Sequence, residues 1–349
     1  MNILLPINQY FLRLFKNKFI NHKVLFAGNM RDKMPIYLDT LVSFINTHKY
    51  DYYIWLKKIV NRNIYYGIMN ENIYKKYNFN VLIFFWLKNK KESIFILKNI
   101  LSLFTFKSEI YVIGANKSGI KNIKNIKELE MIYFEKIISI RKHIIFYAIL
   151  KKKISFHIND YWNHYYYKNF KIYNLPGVFG GNKFDHGSKF LISTIFNNLN
   201  IKGKVLDLGC GSGIISTILS NNIKKHRKKF LLYSTDIDIK AIISTKKTLN
   251  KNFLENNNVF PSNVYSKVNQ KFDFIISNPP IHDDLYYSLK FIYQMINKFK
   301  NKTKYNGKLL FVINNFVSCS KIFNKFLLKF NILSKNKNFS VYSIKNINN

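Results

Sequence analysis

Val205-Leu-Asp-Leu-Gly-Cys-Gly-Ser-Gly213 decides how the chain is read. An aliphatic run (Val205, Leu206, Leu208) gives way to glycine at every second position, Gly209, Gly211 and Gly213, and the apolar run Ile214-Ile-Ser-Thr-Ile-Leu219 follows at once. That order predicts strand, tight turn, helix. Glycine serves where the backbone takes positive φ, or where a ligand presses against it with no Cβ in the way. A helix start offers free N–H groups to electron-rich ligand atoms. The turn therefore predicts a nucleotide-like ligand. Cys210, inside it, reads as a small filler rather than a nucleophile.

The residues around the turn narrow the ligand. A nicotinamide-binding fingerprint would read Gly-x-Gly-x-x-Gly; here Asp207 precedes Gly-x-Gly-x-Gly. The next acidic residue after a strand is Asp236, in Leu231-Leu-Tyr-Ser-Thr-Asp-Ile-Asp238. A carboxylate at a strand end accepts hydrogen bonds from both ribose hydroxyls, and Asp207 is suited to face the ammonium of a methionine. The plain alternative for Asp236 is a helix N-cap, for which Asp238 is the better candidate. The arrangement resembles the S-adenosylmethionine (AdoMet) pocket of class I methyltransferases. That resemblance implies cofactor contacts from Gly209, Cys210, Gly211, Gly213 and Ile237. It also puts Ser262-Asn263-Val264 beside the adenine, with Asn263 either on the adenine edge or in a simple Asx turn.

Phe272-Asp-Phe-Ile-Ile-Ser-Asn278-Pro279-Pro280-Ile281 speaks to the reaction. An apolar strand runs straight into Asn-Pro-Pro. Two prolines fix φ and stiffen the turn, holding the Asn278 side chain at the carboxyl edge of the sheet, where open α/β sheets bind ligands. Asn278 Oδ1 and the Pro279 carbonyl are both acceptors. Together they can hold the two hydrogens of an exocyclic amine, so that its lone pair attacks a sulfonium methyl in line. Pro280 braces the turn. The motif resembles the Asn-Pro-Pro of methyltransferases acting on planar amino groups. Those enzymes commonly carry an aromatic residue next, where this chain has Ile281. His282, Tyr286 and Phe179 are the candidates to supply the missing face. His282 reads as structural or substrate-orienting rather than as a required base.

The chain of 349 residues is long enough for two domains and, with 48% hydrophobic residues, ample for buried cores. No apolar run approaches a membrane span, and no clear secretory pattern opens the chain, so a cytoplasmic, monomeric protein is expected. The two cysteines, Cys210 and Cys319, exclude a disulfide framework and a Cys-rich zinc site; no metal is expected. A net charge of +38 suits a polyanion, most simply nucleic acid. Lys heavily outnumbers Arg, however, and Asn, Ile, Tyr and Phe are also abundant, as an A/T-rich genome would produce. The run Lys224–Lys229 reads as a solvated loop.

Before the glycine turn, 1–20 reads as an apolar-basic helix, 38–48 as a helix and 51–60 as a strand. Strands are expected at 23–27, 81–86 and 110–113, helices at 91–104 and 118–128, and 131–151 mixes both signals. Uniformly apolar strands alternating with helices predict a parallel sheet covered on both faces. Leu175–Gly181 reads as a hairpin leading to a helix at 187–199. Strands are then expected at 204–208, 230–234, 272–277, 308–313 and 339–344, and helices at 213–222, 239–251, 286–300 and 320–330. The two halves alternate alike, as a duplication would if one copy lost its glycine loop.

Taken together, these stretches closely resemble the ribosomal RNA small-subunit methyltransferase C family. The residues that carry the resemblance are Leu25-Phe-Ala-Gly28, Trp86-Leu-Lys-Asn-Lys90, Leu175-Pro-Gly-Val-Phe179, Asp185-His-Gly-Ser188, 203–211, 272–280 and His282-Asp283. The resemblance implies two tandem class I (Rossmann-like) methyltransferase domains. These are a degenerate one at 1–155, a linker at 156–172 and a catalytic one at 173–349. It implies transfer of a methyl group from AdoMet to N2 of a guanine in 16S rRNA, with the 30S particle as partner. Two rival readings are methylation of a protein glutamine, and an RNA-binding assembly factor whose catalysis has lapsed.

Overall fold

A computed structural model describes residues 4–60, 63–181, 183–226, 230–254, 257–283, 286–287, 289–317, 322–323, 326 and 329–347. The side chains of 223–226, 230, 282–283 and 286–287 are left undescribed. The chain divides into two compact units, Met1–Tyr161 and Trp162–Asn349.

In the first unit, helices α1 (Pro6–Phe15), α2 (Met34–Tyr37), α3 (Tyr50–Val60), α4 (Glu71–Tyr77) and α5 (Lys90–Leu101) accompany seven strands. These are β1 (Lys23–Gly28), β2 (Val42–Thr47), β3 (Ile64–Tyr66), β4 (Val81–Phe85), β5 (Glu109–Ala115), β6 (Glu135–Ile140) and β7 (His143–Ile149). They form one sheet in the order β3-β2-β1-β4-β5-β7-β6. In the second unit a hairpin, β8 (Asn163–Tyr167) and β9 (Phe170–Asn174), precedes α6 (His186–Asn198). Then come β10 (Gly203–Leu208), α7 (Ile214–His226), β11 (Phe230–Asp236), α8 (Ile239–Lys251), β12 (Asn258–Pro261), β13 (Phe272–Ser277) and the short pair β14 (His282–Asp283) and β15 (Tyr286–Tyr287). The unit ends with α9 (Lys290–Lys302), β16 (Thr303–Asn314), β17 (Asn331–Lys335) and β18 (Phe339–Lys345). Its main sheet runs β12-β11-β10-β13-β16-β18-β17.

Ranked by sequence within each sheet, both orders read third, second, first, fourth, fifth, seventh, sixth. In both, the seventh strand alone runs opposite to the other six. The same topology occurs twice, as a duplication produces. In the second sheet, Leu206 and Leu208 pack with α9 residues such as Met295 and Phe299. Val205 faces Leu191 of α6 and Ile215 of α7. Alternate residues of a strand point to opposite faces, so burial on both faces explains the unbroken apolar runs.

Several elements differ from the expectations. The stretch 38–48 holds strand β2 rather than a helix, and 51–60 is helix α3 rather than a strand. Phe44 and Ile45, adjacent in β2, are both buried, which removes the alternation that marks a strand. In α3 the aromatic and β-branched residues favour a strand locally, but Tyr52 and Leu56, one turn apart, are buried together. The stretch 118–128 forms 3-10 turns, not an α-helix. Ile120, Ile123, Ile126, Leu129 and Ile132 are buried at every third position, the repeat of a helix with three residues per turn. The sheets are not wholly parallel. Arg141 and Lys142 turn β6 into β7 with φ of 48° and 63°, the paired positive values of a tight hairpin without its usual Asn-Gly signature.

The segment 156–172, expected as a linker, contains a 3-10 turn at Ile158–Tyr161 and most of the β8–β9 hairpin. That hairpin replaces the one expected at 175–181, where Leu175 and Val178 close a turn instead. The outer edge of β9 is held by side chains of α8. Ser244 Oγ accepts from the Leu175 N–H (3.1 Å), and Thr248 Oγ1 accepts from the Tyr173 N–H (3.0 Å). Asn252 exchanges two bonds with Lys171 (3.1 and 2.9 Å). Strands β12 and β17 were not expected. The expected helix at 320–330, Cys319 and residues 227–229 of the basic run fall wholly or largely outside the described residues. Among the described residues, no helix is long and apolar enough to cross a membrane.

Candidate functional site

The carboxyl ends of β11, β10 and β13 lie side by side. They carry Asp236, the glycine turn and Asn278. Gly209 N–H and Cys210 N–H both donate to the Thr235 carbonyl, at 2.8 and 3.0 Å, pulling the turn onto β11. Gly213 sits at φ 81°, and a Cβ there would lie 3.0 Å from Thr245 Cα, so glycine alone lets α7 start against α8. Asp236 caps the turn from the side: its Oδ2 accepts from the Gly211 N–H and its Oδ1 from the Asp238 N–H, both at 3.0 Å. Asp238 is the N-cap of α8, so the helix-capping job falls to it and not to Asp236.

Beneath the turn, Asp207 is fully buried. Its Oδ2 accepts from Ser216 Oγ of α7 (2.5 Å), which in turn meets Ser234 Oγ of β11 (2.7 Å). Its Oδ1 is buried with no hydrogen-bond partner. Burial pushes the Asp207 carboxyl up to about 7, against the Ser216 bond. The folded state therefore holds this proton more tightly than the unfolded chain, where an aspartate titrates near 4. Stability from this group is complete below pH ~4 and is lost as pH rises to ~7, by up to roughly 4 kcal/mol. Denaturant midpoints measured from pH 4 to 8 should fall more steeply in the wild type than in Asp207→Asn. Cys210 is also buried, bonded by Thr245 Oγ1 at 3.2 Å, and burial raises its thiol well above the usual value. These surroundings suit a small filler rather than a nucleophile.

Asn278 follows β13, whose last residue, Ser277, ties it to β10 by donating to the Leu208 carbonyl (2.7 Å). Asn278 Nδ2 donates to Asp185 Oδ2 (2.8 Å) and Ser188 Oγ (2.9 Å). A carboxylate can only accept, so Asp185 fixes which way the amide faces and turns the acceptor Oδ1 away. Asp185 is itself the N-cap of α6, accepting from the Ser188 N–H at 2.8 Å. A Cβ on Gly187 would crowd Asp185 Oδ2, at 3.1 Å, and the Phe339 ring, at 3.3 Å. Sequence reasoning quoted Asp185-His-Gly-Ser188 without assigning it this role.

Asn278, Gly209, Cys210 and Gly211 line one cleft together with Phe179, Asp185 and Tyr165. Phe179 is 64% exposed there. Tyr165, which sequence reasoning also missed, reaches the cleft from β8; burial pushes its phenol up to about 12. Ile281 instead packs against the core beside α9. Pro279 is buried and Pro280 exposed. The side chain of His282 lies outside the described residues, as does that of Tyr286. Asn263 is half-buried after β12. Ser262 and Ser266 make the hydrogen bonds of its turn, in which Val264 takes φ 51°. The Asn263 side chain contributes none of these bonds, which disfavours the simple Asx turn. A second, open cleft lined by Asp185, His186, Lys189, Asn314, Asn336 and Phe339 adjoins the first through Asp185. Among the described residues no group of three or more His, Cys, Asp or Glu could hold a metal ion.

The first unit lacks this architecture at the matching place. Its β1 also ends in glycine, but a Cβ on Gly28 would lie 2.1 Å from the Phe85 carbonyl oxygen, so that glycine serves strand packing. The turn then fills itself. Buried Asp32 accepts from the Leu5 N–H (2.7 Å), Asn8 Nδ2 (2.8 Å) and the Met34 N–H (3.0 Å), and the helix that follows has four residues.

Two family profiles match the chain: "Methyltransferase small domain N-terminal" over residues 9–165 and "Methyltransferase small domain" over 169–343. Proteins described as ribosomal RNA small subunit methyltransferase C are similar over nearly their whole length. One from Buchnera aphidicola subsp. Acyrthosiphon pisum is 37% identical over 97% of this chain and 98% of its own. Another, from Erwinia tasmaniensis, is 33% identical over 98% and 97%. Among solved structures, the T. thermophilus 16S rRNA N2 G1207 methyltransferase in complex with AdoMet and guanosine has the same fold. It matches with a TM-score of 0.77 at 16% identity, covering 93% of this chain and 88% of that one.

Proposed function

The chain belongs to the ribosomal RNA small subunit methyltransferase C family, and from that premise we propose that it methylates the N2 amine of a guanine in 16S rRNA within the 30S particle, using AdoMet. The observation that carries this reading is the amide of Asn278, fixed by Asp185 and Ser188 beside the glycine turn.

AdoMet supplies an electrophilic methyl group on a sulfonium. The residues present fit it: Gly209 and Gly211 offer backbone without a Cβ, and Asp236 stands at the strand end where ribose hydroxyls need an acceptor. Asp207 Oδ1 is a buried acceptor that an ammonium would satisfy. Ile237 and Asn263 would hold the adenine. At the acceptor, Asn278 Oδ1 and the Pro279 carbonyl take the two hydrogens of the guanine amine and draw its lone pair out of conjugation. The nitrogen–carbon bond forms as the carbon–sulfur bond breaks; S-adenosylhomocysteine departs and one amine proton passes to solvent. Phe179 gives the guanine a ring to stack on, since Ile281 is turned into the core. Pro280 keeps the turn stiff.

Mass spectrometric mapping of nucleotides after incubating 30S particles, naked 16S rRNA and a release factor with the protein and AdoMet tests this directly. A single new N2-methylguanine in the rRNA is expected. Methyl groups on the release factor instead, or none at all, would overturn the reading. A variant separates the role of the anchor from that of the acceptor. In Asp185→Ala the amide of Asn278 loses its stronger tether and α6 its cap. The rate should fall about tenfold at unchanged AdoMet affinity, with a stability loss of about 1 kcal/mol, read from single-turnover kinetics and thermal melts.

A further inference from the structure

One surface of the second unit is rich in rings and cations and takes no part in the cleft. Along β8 the residues alternate: Tyr165 and Tyr167 pack on the core with Ile172, whereas Trp162, His164 and Tyr166 take the other side. From β9, Lys171 and Tyr173 join them, and from α8 Lys247. His164 lies 5.9 Å from Tyr166 and 5.8 Å from Tyr173, ring centre to ring centre, and Trp162 lies 6.3 Å from Tyr173. The Lys247 ammonium sits 3.9 Å from the Trp162 ring and 5.2 Å from Tyr173. Lys171 lies 5.7 Å from Tyr166 and 5.2 Å from Tyr173. Tyr166 is nonetheless 66% exposed, and His164 is exposed beside it.

A lysine-rich composition alone puts charge in solvent. It does not interleave the charge with a cluster of rings of which two, His164 and Tyr166, stand exposed. That pairing suits single-stranded nucleic acid: bases stack on the rings irrespective of sequence, and ammonium groups meet the phosphates between them. The hairpin also has two-sided geometry. Tyr165, between His164 and Tyr166, reaches the cleft that holds Asn278, so the ring-bearing face is one strand's thickness away. We propose that this face of the hairpin is a stacking platform for a single-stranded stretch of rRNA flanking the target guanine. The proposal rests on the reading of the cleft as an rRNA methyltransferase site.

The test uses the full-length protein and two assays: anisotropy of a fluorescein-labelled, mixed-sequence single-stranded RNA, and methyl transfer to 16S rRNA. Stacking on one ring is worth a loss of about fivefold or more when the ring is removed. Tyr166→Ala should weaken RNA binding by at least that factor and raise KM for rRNA. kcat and AdoMet affinity should stay at wild-type values. Tyr166→Phe, which keeps the ring, should bind within about twofold of wild type. RNA binding by the His164→Ala/Tyr166→Ala double variant within about twofold of wild type overturns the platform. So does wild-type protein that binds no RNA. If binding falls as expected but no guanine is methylated by any form, the platform stands and the reading of the cleft fails.

Discussion

Asn278→Ala is expected to lower kcat about 100- to 1,000-fold while AdoMet affinity stays unchanged. The range is that for removing one preorganised hydrogen-bond partner from a site of developing charge, about 2.7–4 kcal/mol. Here the preorganisation is visible in the protein itself: Nδ2 is held by two acceptors before any substrate arrives, so Oδ1 need not reorient. Single-turnover methyl transfer at saturating AdoMet gives the rate, and calorimetry gives the affinity. Turnover near the wild-type rate would show that the amine is held by something else. The near-isosteric Asn278→Asp is not conservative. It would set a second carboxylate against Asp185 Oδ2, where the present contact is 2.8 Å. One of the two must then take up a proton or the pair must part, so this variant should be no more active than the alanine one.

Asp236→Ala should weaken AdoMet binding about 10- to 100-fold, the loss expected for hydrogen bonds to a charged acceptor. Two effects add. The ribose loses its carboxylate, and the N–H groups of Gly211 and Asp238 lose the partner that shapes the turn. For the second reason Asp236→Asn should recover little: its amide nitrogen would face one of those N–H donors. Titration calorimetry on the purified variants measures both. If Asp236→Asn bound AdoMet as tightly as wild type, the carboxylate would have no special part in the site.

What could be read from the residues alone depended on how local the signal was. Gly209, Gly211, Gly213 and Asp207 lie within seven residues, and each answers to a constraint of the turn itself. Asn278-Pro-Pro is equally local. The exchange of helix and strand across 38–60 shows the opposite case: β2 is buried on both faces and so loses its alternation, while the aromatic residues of α3 answer to the core more than to their own preference. Asp185 shows the limit most clearly. It lies 93 residues before Asn278, and no periodicity links the two; only the meeting of α6 with the end of β13 makes the capping carboxylate also the anchor of the amide. Tyr165 escaped notice for the same reason, since nothing in a run of Tyr and His marks which ring turns inward.

The bonds between α8 and β9 amount to two rulers of slightly different pitch laid side by side. Four residues of helix advance 6.0 Å, and two residues of strand about 6.7 Å. From Asn252 through Thr248 to Ser244, and from Lys171 through Tyr173 to Leu175, the divisions drift apart by about 0.7 Å per step. Three marks stay within reach of a hydrogen bond; a fourth would be about 2 Å out. A helix can thus stand in for a neighbouring strand only over a short length, and the next mark would fall at Gly177, inside the turn that Leu175 and Val178 close. Because each mark is spaced for one alignment, the hairpin cannot slide by a residue pair without losing a bond at one end. The ring that β8 sends toward the methyl-transfer cleft is thereby indexed to the same helix whose first turn is capped by Asp238, next to the carboxylate that shapes the glycine turn.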